Sequence, residues 1–496
     1  MPSRYWKVAA VYGVARVQMI YIFISSALLL IAYPMVGSTS AVWVLVASQA
    51  ALLVGQIMRR QVTGVGAFIF MSFLFFGMRP IYLIVEKDYW LFQSIYRIRV
   101  SMDEIGISMW WATLAMIIFA CGAALFPMLR KAYLVRRRTA NALSVSRPFV
   151  PKSAAFLLLV VQMVTLPVMM VLSRFGTSLY GSGFGAYAYD LPVPMQAIHV
   201  FAVVVILERF LRRRNAGTIS MLVVSSALFL AFTWLMRDVS SFRGFYLTGV
   251  MIVGIAVLMR LKGRVGFVWL ILSIILFQPL FQYLGAQRGM KNEELAQVGI
   301  VGEVLQDRTL GQAYWEFYDS KGDMNIFDTF VAAYKYEPSF YPYVWSWLYV
   351  PLHFVPRAIW PSKPKKGITM DARCTRGAPT SPGIAGFFLL DGGLFWMLLS
   401  MGVLGYLLSW MDWHVLTMRP GYLQSCLIGI FTINAMFLTR FFLWQYFYQV
   451  LYAVIPCVVL AWYFNRNATR MQANARRSSM SMQHGAPNQE RLTGPA

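Results

Sequence analysis

Twelve times along this chain an apolar run of about 18 to 22 residues recurs, the length a helix needs to cross a bilayer core at ~1.5 Å per residue. The runs cover residues 16–34, 41–58, 63–85, 107–128, 153–173, 195–211, 218–236, 243–260, 265–284, 384–409, 421–439 and 441–463. Each is expected to be helical, because backbone groups left without partners cannot face lipid. The first run follows Arg4, Lys7 and Arg16 but has no small-residue cleavage site after it, so it is expected to be a retained helix. With 58% hydrophobic residues, 13% charged residues and a mean hydropathy of +0.58, no soluble globular class fits. The expected fold class is an all-α polytopic membrane protein, a single integral-membrane domain over 1–464. It carries one large outer loop at 285–383 and a disordered cytoplasmic tail at 465–496.

Cation placement sets the expected orientation. With the N-terminus in the cytoplasm, 25 of the 44 Lys and Arg residues fall inside. Of the rest, eleven lie in the one long loop, which the positive-inside rule does not count. Glu208, Asp412 and Glu490 are the only inside carboxylates. Both termini are therefore expected in the cytoplasm and the loop at 285–383 outside. The net charge of +24 reads as a topology signal, with no nucleic-acid partner implied, because its cationic runs are short caps on helices.

Several chemistries lack their residues. No G-x-x-x-x-G-K-[ST] loop is present, which excludes a single-chain ATP-driven pump, and no D-x-D pair is present to hold a metal–nucleotide-sugar complex. His199, His353, His414 and His484 are far apart in the chain, so no metal site is expected. Cys121, Cys426 and Cys457 fall in helices and Cys374 stands alone outside, so no disulfide framework is implied. Glu208 beside Arg209 reads as a surface pair.

Functional groups are then sought in the outer loops. The connection "RDVSSFRG" holds Arg237 and Arg243, "QRGMK" holds Arg288, and the three-proline stretch "FVPRAIWPSKPKKG" holds Arg357, Lys363, Lys365 and Lys366. With Arg79, Arg174 and Arg440, these arginines end outer helices or begin outer loops, against positive-inside expectation. A planar guanidinium matches phosphate oxygens bidentately and stays charged in a dry site, so the grouping points to a shared lipid-phosphate site. Proton acceptors on that side are His353, Asp238, Glu303, Asp307, Asp319, Asp323 and Asp391. The segment "YEPSFYPYVWSWLYVPLHF" is rich in aromatic rings and reads as an interfacial segment on which sugars could also stack. Residues 295–334 have apolar residues at helical spacing among mixed charges, so amphipathic helices near the membrane are expected there.

"SSFRGFYLTGVMIVGIAVL", "FVPRAIWPSKP" and "PTSPGIAGFFLLDGGLFWMLLSMGVLGYL" resemble stretches of the O-antigen polymerase (Wzy-type) and oligosaccharide repeat-unit polymerase families. The run Pro-Arg-x-x-Trp-Pro-x-Lys-Pro is the best match, and Asp391 stands where the pattern leads one to expect a more neutral residue. The resemblance implies periplasmic glycosyl transfer between undecaprenyl-pyrophosphate-linked oligosaccharides, without metal or other cofactor, in a bacterial inner membrane. It implies pyrophosphate binding by Arg237, Arg243, Arg288, Arg357, Lys363, Lys365 and Lys366, with His353 and Asp238 as proton-transfer candidates. A chain-length regulator and a repeat-unit flippase are the companion proteins it implies. A ligase of the O-antigen type and a transporter or flippase of lipid-linked sugars are the alternatives.

Overall fold

A computed structural model describes residues 4–58, 62–87, 89–91, 98–134, 151–179, 192–239, 244–262, 268–269, 271–272, 326–336, 345–353, 355, 360, 362, 382–418, 421–440 and 443–484. In chain order the α-helices are α1 (Arg4–Ala32), α2 (Thr39–Ile57), α3 (Gly64–Phe73), α4 (Arg79–Val85), α5 (Met102–Leu134), α6 (Lys152–Leu179) and α7 (Pro192–Arg212). They continue as α8 (Ala216–Val239), α9 (Gly244–Lys262), α10 (Ile326–Tyr336), α11 (Trp345–His353), α12 (Gly383–Thr417), α13 (Tyr422–Leu438) and α14 (Leu443–His484). A π-helical turn, Leu74–Met78, joins α3 to α4, and a two-residue antiparallel pair, β1 (Trp90–Leu91) with β2 (Ile98–Arg99), precedes α5.

Nine spans among the described residues are long and apolar enough to cross a membrane, and shorter apolar helices lie at Thr248–Met259 and Tyr422–Leu438. The protein is an α-helical, multi-pass membrane protein. The expected span at 265–284 lies outside the described residues except at 268–269 and 271–272.

Local chemistry starts many of these helices. Ser38 accepts from the amide of Ala41 and Thr63 from that of Gly66, at 3.2 and 3.0 Å. Ser101 and Glu104 bond each other's amides at 3.1 and 2.9 Å, a reciprocal capping box at the head of α5. Asn215 accepts from Thr218 at 2.9 Å at the head of α8. The head of α3 is also capped from far along the chain, the Asp412 carboxylate accepting from the amides of Gly64 and Val65 at 2.8 and 3.0 Å.

Two compact units arise. One comprises Met1–Asn141, Ser241–Arg419 and Leu427–Leu451, and the other Ala142–Ser240, Pro420–Cys426 and Tyr452–Ala496. In the first, α5 and α12 meet through glycines. A Cβ on Gly122 would fall on the carbonyl of Gly402, and one on Gly405 on the carbonyl of Phe119. In lipid, where apolar side chains gain nothing by leaving water, such backbone approach is how helices gain dispersion contact.

The second unit packs α6, α7 and α8 around Ala155, Leu159 and Ile206. Across them runs a directed polar chain. Ser225 donates to Gln162 Oε1 at 2.8 Å, Gln162 Nε2 faces His199 Nδ1 at 3.2 Å, and Thr165 Oγ1 meets His199 Nε2 at 2.8 Å. Thr165 also donates to backbone carbonyls at 2.9 and 3.1 Å, so the ring nitrogen is left to donate to it. His199 is thus a satisfied, buried member of the helix packing, stacked on Phe232.

Three expectations change here. Glu208 and Arg209, expected as a surface pair, are both buried, and Glu208 bonds Arg212, one turn on, at 2.9 and 3.0 Å. The reason is helical: neighbours in sequence point apart, whereas i and i+4 share a face. Residues 465–484, expected in a disordered tail, instead continue α14, as the helix-favouring Ala, Arg, Met and Gln of "NATRMQANARR" permit. The expected span 384–409 is not one straight helix. Gly392 and Gly393 are non-helical, with Gly393 at φ +75°, which only glycine adopts freely, so α12 is a short segment Gly383–Asp391 followed by a long one. The long segment, residues 394–417, spans about 36 Å by itself.

Gly405→Leu should lower thermal stability in detergent by about 1 to 3 kcal/mol, as overpacking does. Gly254→Leu, with open space at that position, should leave the melting temperature near wild type. Equal losses in the two variants would refute glycine-mediated packing of α5 on α12.

Candidate functional site

The candidate site is built in the first unit where α10 packs against the π-turn at the head of α4 and against α5. Its foundation is the π-turn. Pro80 has no N–H to give to the Phe76 carbonyl, which a regular helix would require. Gln49 Nε2 supplies the missing donor, reaching Phe76 O at 3.3 Å and Thr113 Oγ1 at 2.8 Å. The widened turn directs Arg79 inward, where it is 0% exposed.

There Arg79 meets Asp328 of α10 bidentately, Nε to Oδ1 and Nη2 to Oδ2, both at 2.9 Å, with both side chains fully buried. Two parallel charge-assisted bonds are the geometry in which a buried pair can offset its desolvation. Around the pair, Phe76 meets Phe330 and Phe327 edge-on at 5.5 and 6.4 Å, and the Arg79 guanidinium lies 5.3 Å from the Tyr82 ring. From Ile326 to Ala333 every residue of α10 is buried, so this helix is embedded in the unit. Of the amphipathic helices expected near the membrane over residues 295–334, α10 is the part that the described residues include. At its far end Lys335 bonds Glu104 at 2.7 Å.

The next helix, α11, is gripped from both sides of the break in α12. Asp391, 4% exposed, accepts from the Ser346 amide at 2.8 Å. Trp347 stacks on Phe388 at 5.8 Å and donates through Nε1 to Ser400 Oγ at 3.0 Å. Tyr349, 1% exposed, meets Trp444 at 6.0 Å. Tyr349 is committed to packing and has no face free for sugar stacking, while Trp347, half-buried, packs one face on Phe388.

Of the residues expected to act, Arg243, Arg288, Arg357, Lys363, Lys365 and Lys366 lie outside the described residues, as do Glu303, Asp307, Asp319 and Asp323. Arg237 and Asp238 belong to the last turn of α8, and His353 to the last turn of α11, with side chains outside the described ones. Arg79 is corrected: expected to join a lipid-phosphate site, it is buried against Asp328. Asp391, expected among the proton acceptors, caps α11. Asp328 escaped the sequence reading, although a lone acid in the apolar stretch "IFDTFVAA" matched to a lone arginine in "FLFFGMRPIYLIV" is a signal of intramembrane pairing.

Comparison of the chain with protein-family models, with curated proteins and with solved structures finds no match in any of the three.

Arg79→Leu or Asp328→Leu alone should destabilise the protein by about 3 to 5 kcal/mol, because each strands a buried charge. The double variant should recover most of that loss in thermal unfolding. A double variant as unstable as the sum of the singles would show that the two groups are not coupled.

Proposed function

We propose that this protein is a membrane glycosyltransferase that polymerises undecaprenyl-pyrophosphate-linked oligosaccharide repeat units on the periplasmic face of a bacterial inner membrane. The observation that carries the reading is the anchoring of α11: the helix immediately before the motif run "PRAIWPSKP" is capped, stacked and bonded into the bundle. A run of cations that must meet a pyrophosphate benefits from a fixed base and from prolines that limit its freedom, since less order is lost on binding.

In this reading the growing glycan on undecaprenyl pyrophosphate is the donor. A hydroxyl at the non-reducing end of a second lipid-linked repeat unit attacks the donor's anomeric carbon. The new C–O bond forms as the bond to the pyrophosphate oxygen breaks, and that oxygen leaves with the electron pair. Arg357, Lys363, Lys365 and Lys366 stabilise the charge it gains, together with Arg237, Arg243 and Arg288 as cations for the two pyrophosphates. His353 or Asp238 takes the hydroxyl proton. The motif resemblance supports polymerisation over ligation. The broken helix at Gly392–Gly393 is the feature that favours transport, since discontinuous helices recur in transporter sites.

A deletion strain should show lipopolysaccharide or capsule with a single repeat, and Arg357→Ala at normal membrane levels should restore no ladder. Long undecaprenyl-linked chains left untransferred would establish a ligase, and repeat units stranded in the cytoplasm a transporter. Orientation has its own check. Cys374, within the long loop, should react with an impermeant maleimide from the periplasmic side, and Cys374→Ser should abolish that labelling. Labelling only after the inner membrane is opened would reverse the topology.

A further inference from the structure

We infer that Asp391 is a positioning residue, whose carboxylate sets the place of α11 and through it the exit of the cationic run. The placement stands on geometry, and its link to turnover rests on the glycosyl transfer proposed above.

The grip on α11 comes from both segments of α12. Before the break, Asp391 Oδ2 accepts from the Ser346 amide at 2.8 Å and Phe388 stacks on Trp347 with an interplanar angle of 4°. After the break, Ser400 accepts from Trp347 Nε1 at 3.0 Å. The angle at Gly392–Gly393 therefore fixes three contacts at once. Ser346 is the second residue of α11, one of the helix-start amides that no intrahelical carbonyl can satisfy. A carboxylate there meets both that orphan donor and the positive end of the helix dipole. A neutral apolar residue in place of Asp391 would leave the amide buried without this acceptor. Arg357 follows the end of α11 by four residues, a chain length that reaches at most about 14 Å, so the place of the α11 end bounds where that cation can lie.

Positioning and proton transfer make opposite demands on one substitution. Asp391→Asn keeps an oxygen acceptor for the Ser346 amide but has no basic carboxylate, whereas Asp391→Ala removes the acceptor. The test uses full-length protein in nanodiscs, with hydrogen–deuterium exchange of residues 345–353 and turnover of an undecaprenyl-pyrophosphate-linked repeat unit. Asp391→Ala should speed exchange in α11 about tenfold, the scale of a lost helix cap, with exchange in α5 unchanged as proof of folding. It should lower kcat about tenfold with KM within about twofold of wild type, and Asp391→Asn should retain both protection and most of the turnover. Unchanged exchange in Asp391→Ala overturns the inference. So does an inactive Asp391→Asn with a protected α11, because the carboxylate would then act chemically. If exchange responds as expected while wild-type protein makes no polymer, the cap stands and the polymerase reading falls alone.

Discussion

A guanidinium and a carboxylate with no exposed surface hold α10 inside the first unit, and much of the surrounding architecture serves that pair. Arg79 can reach inward only because the chain widens into a π-turn before it, and the widened turn persists because Gln49 satisfies the carbonyl that Pro80 leaves without a donor. Thr113 then holds Gln49 in place. Removing any member exposes the next to an unpaired polar group in a dry interior, a penalty larger than the net gain of the bond itself. The pair is thus the last link of a chain that fixes α2, the π-turn, α5 and α10 relative to one another.

Aspartate recurs in this unit as a device for helix ends. Asp412 closes the head of α3 and Asp391 that of α11, each from more than forty residues away in the chain. Such remote caps tie a helix to a neighbour as well as satisfying its amides, so one side chain both starts an element and sets its position. Asp391 ends the short segment of α12 and Asp412 lies near the end of the long one, so the long segment links one cap to the other. The break at Gly392–Gly393 lets α12 present Asp391 and Phe388 on one segment and Ser400 on the other to the same short helix. For a loop proposed to carry the pyrophosphate-binding cations, that gives a base built from the bundle.

The α-helical, multi-pass character was legible from the chain because lipid reads only length and polarity. A 20-residue apolar run has one solution, and the split of 421–463 at Arg440 appears as α13 and α14. Helix heads at Ser38, Thr63 and Ser101 were equally local, written in residues three apart. Pairings across the chain were not legible. Arg79 as a snorkelling or phosphate-binding arginine and Arg79 as a buried partner of Asp328 share the same local sequence. What separates them is 249 residues of chain folding back.

By itself the sequence determined an α-helical membrane protein, because apolar length and backbone hydrogen bonding leave no other stable form in lipid. It also determined where the cations concentrate. Only the tertiary structure decided which ionisable residues are spent on architecture: Arg79 and Asp328 in a buried pair, Asp391 and Asp412 as caps, Glu208 on Arg212. The physical reason is that a charge's role depends on its nearest opposite partner and on its exposure. Both are properties of distance in space, which neighbours in sequence do not fix.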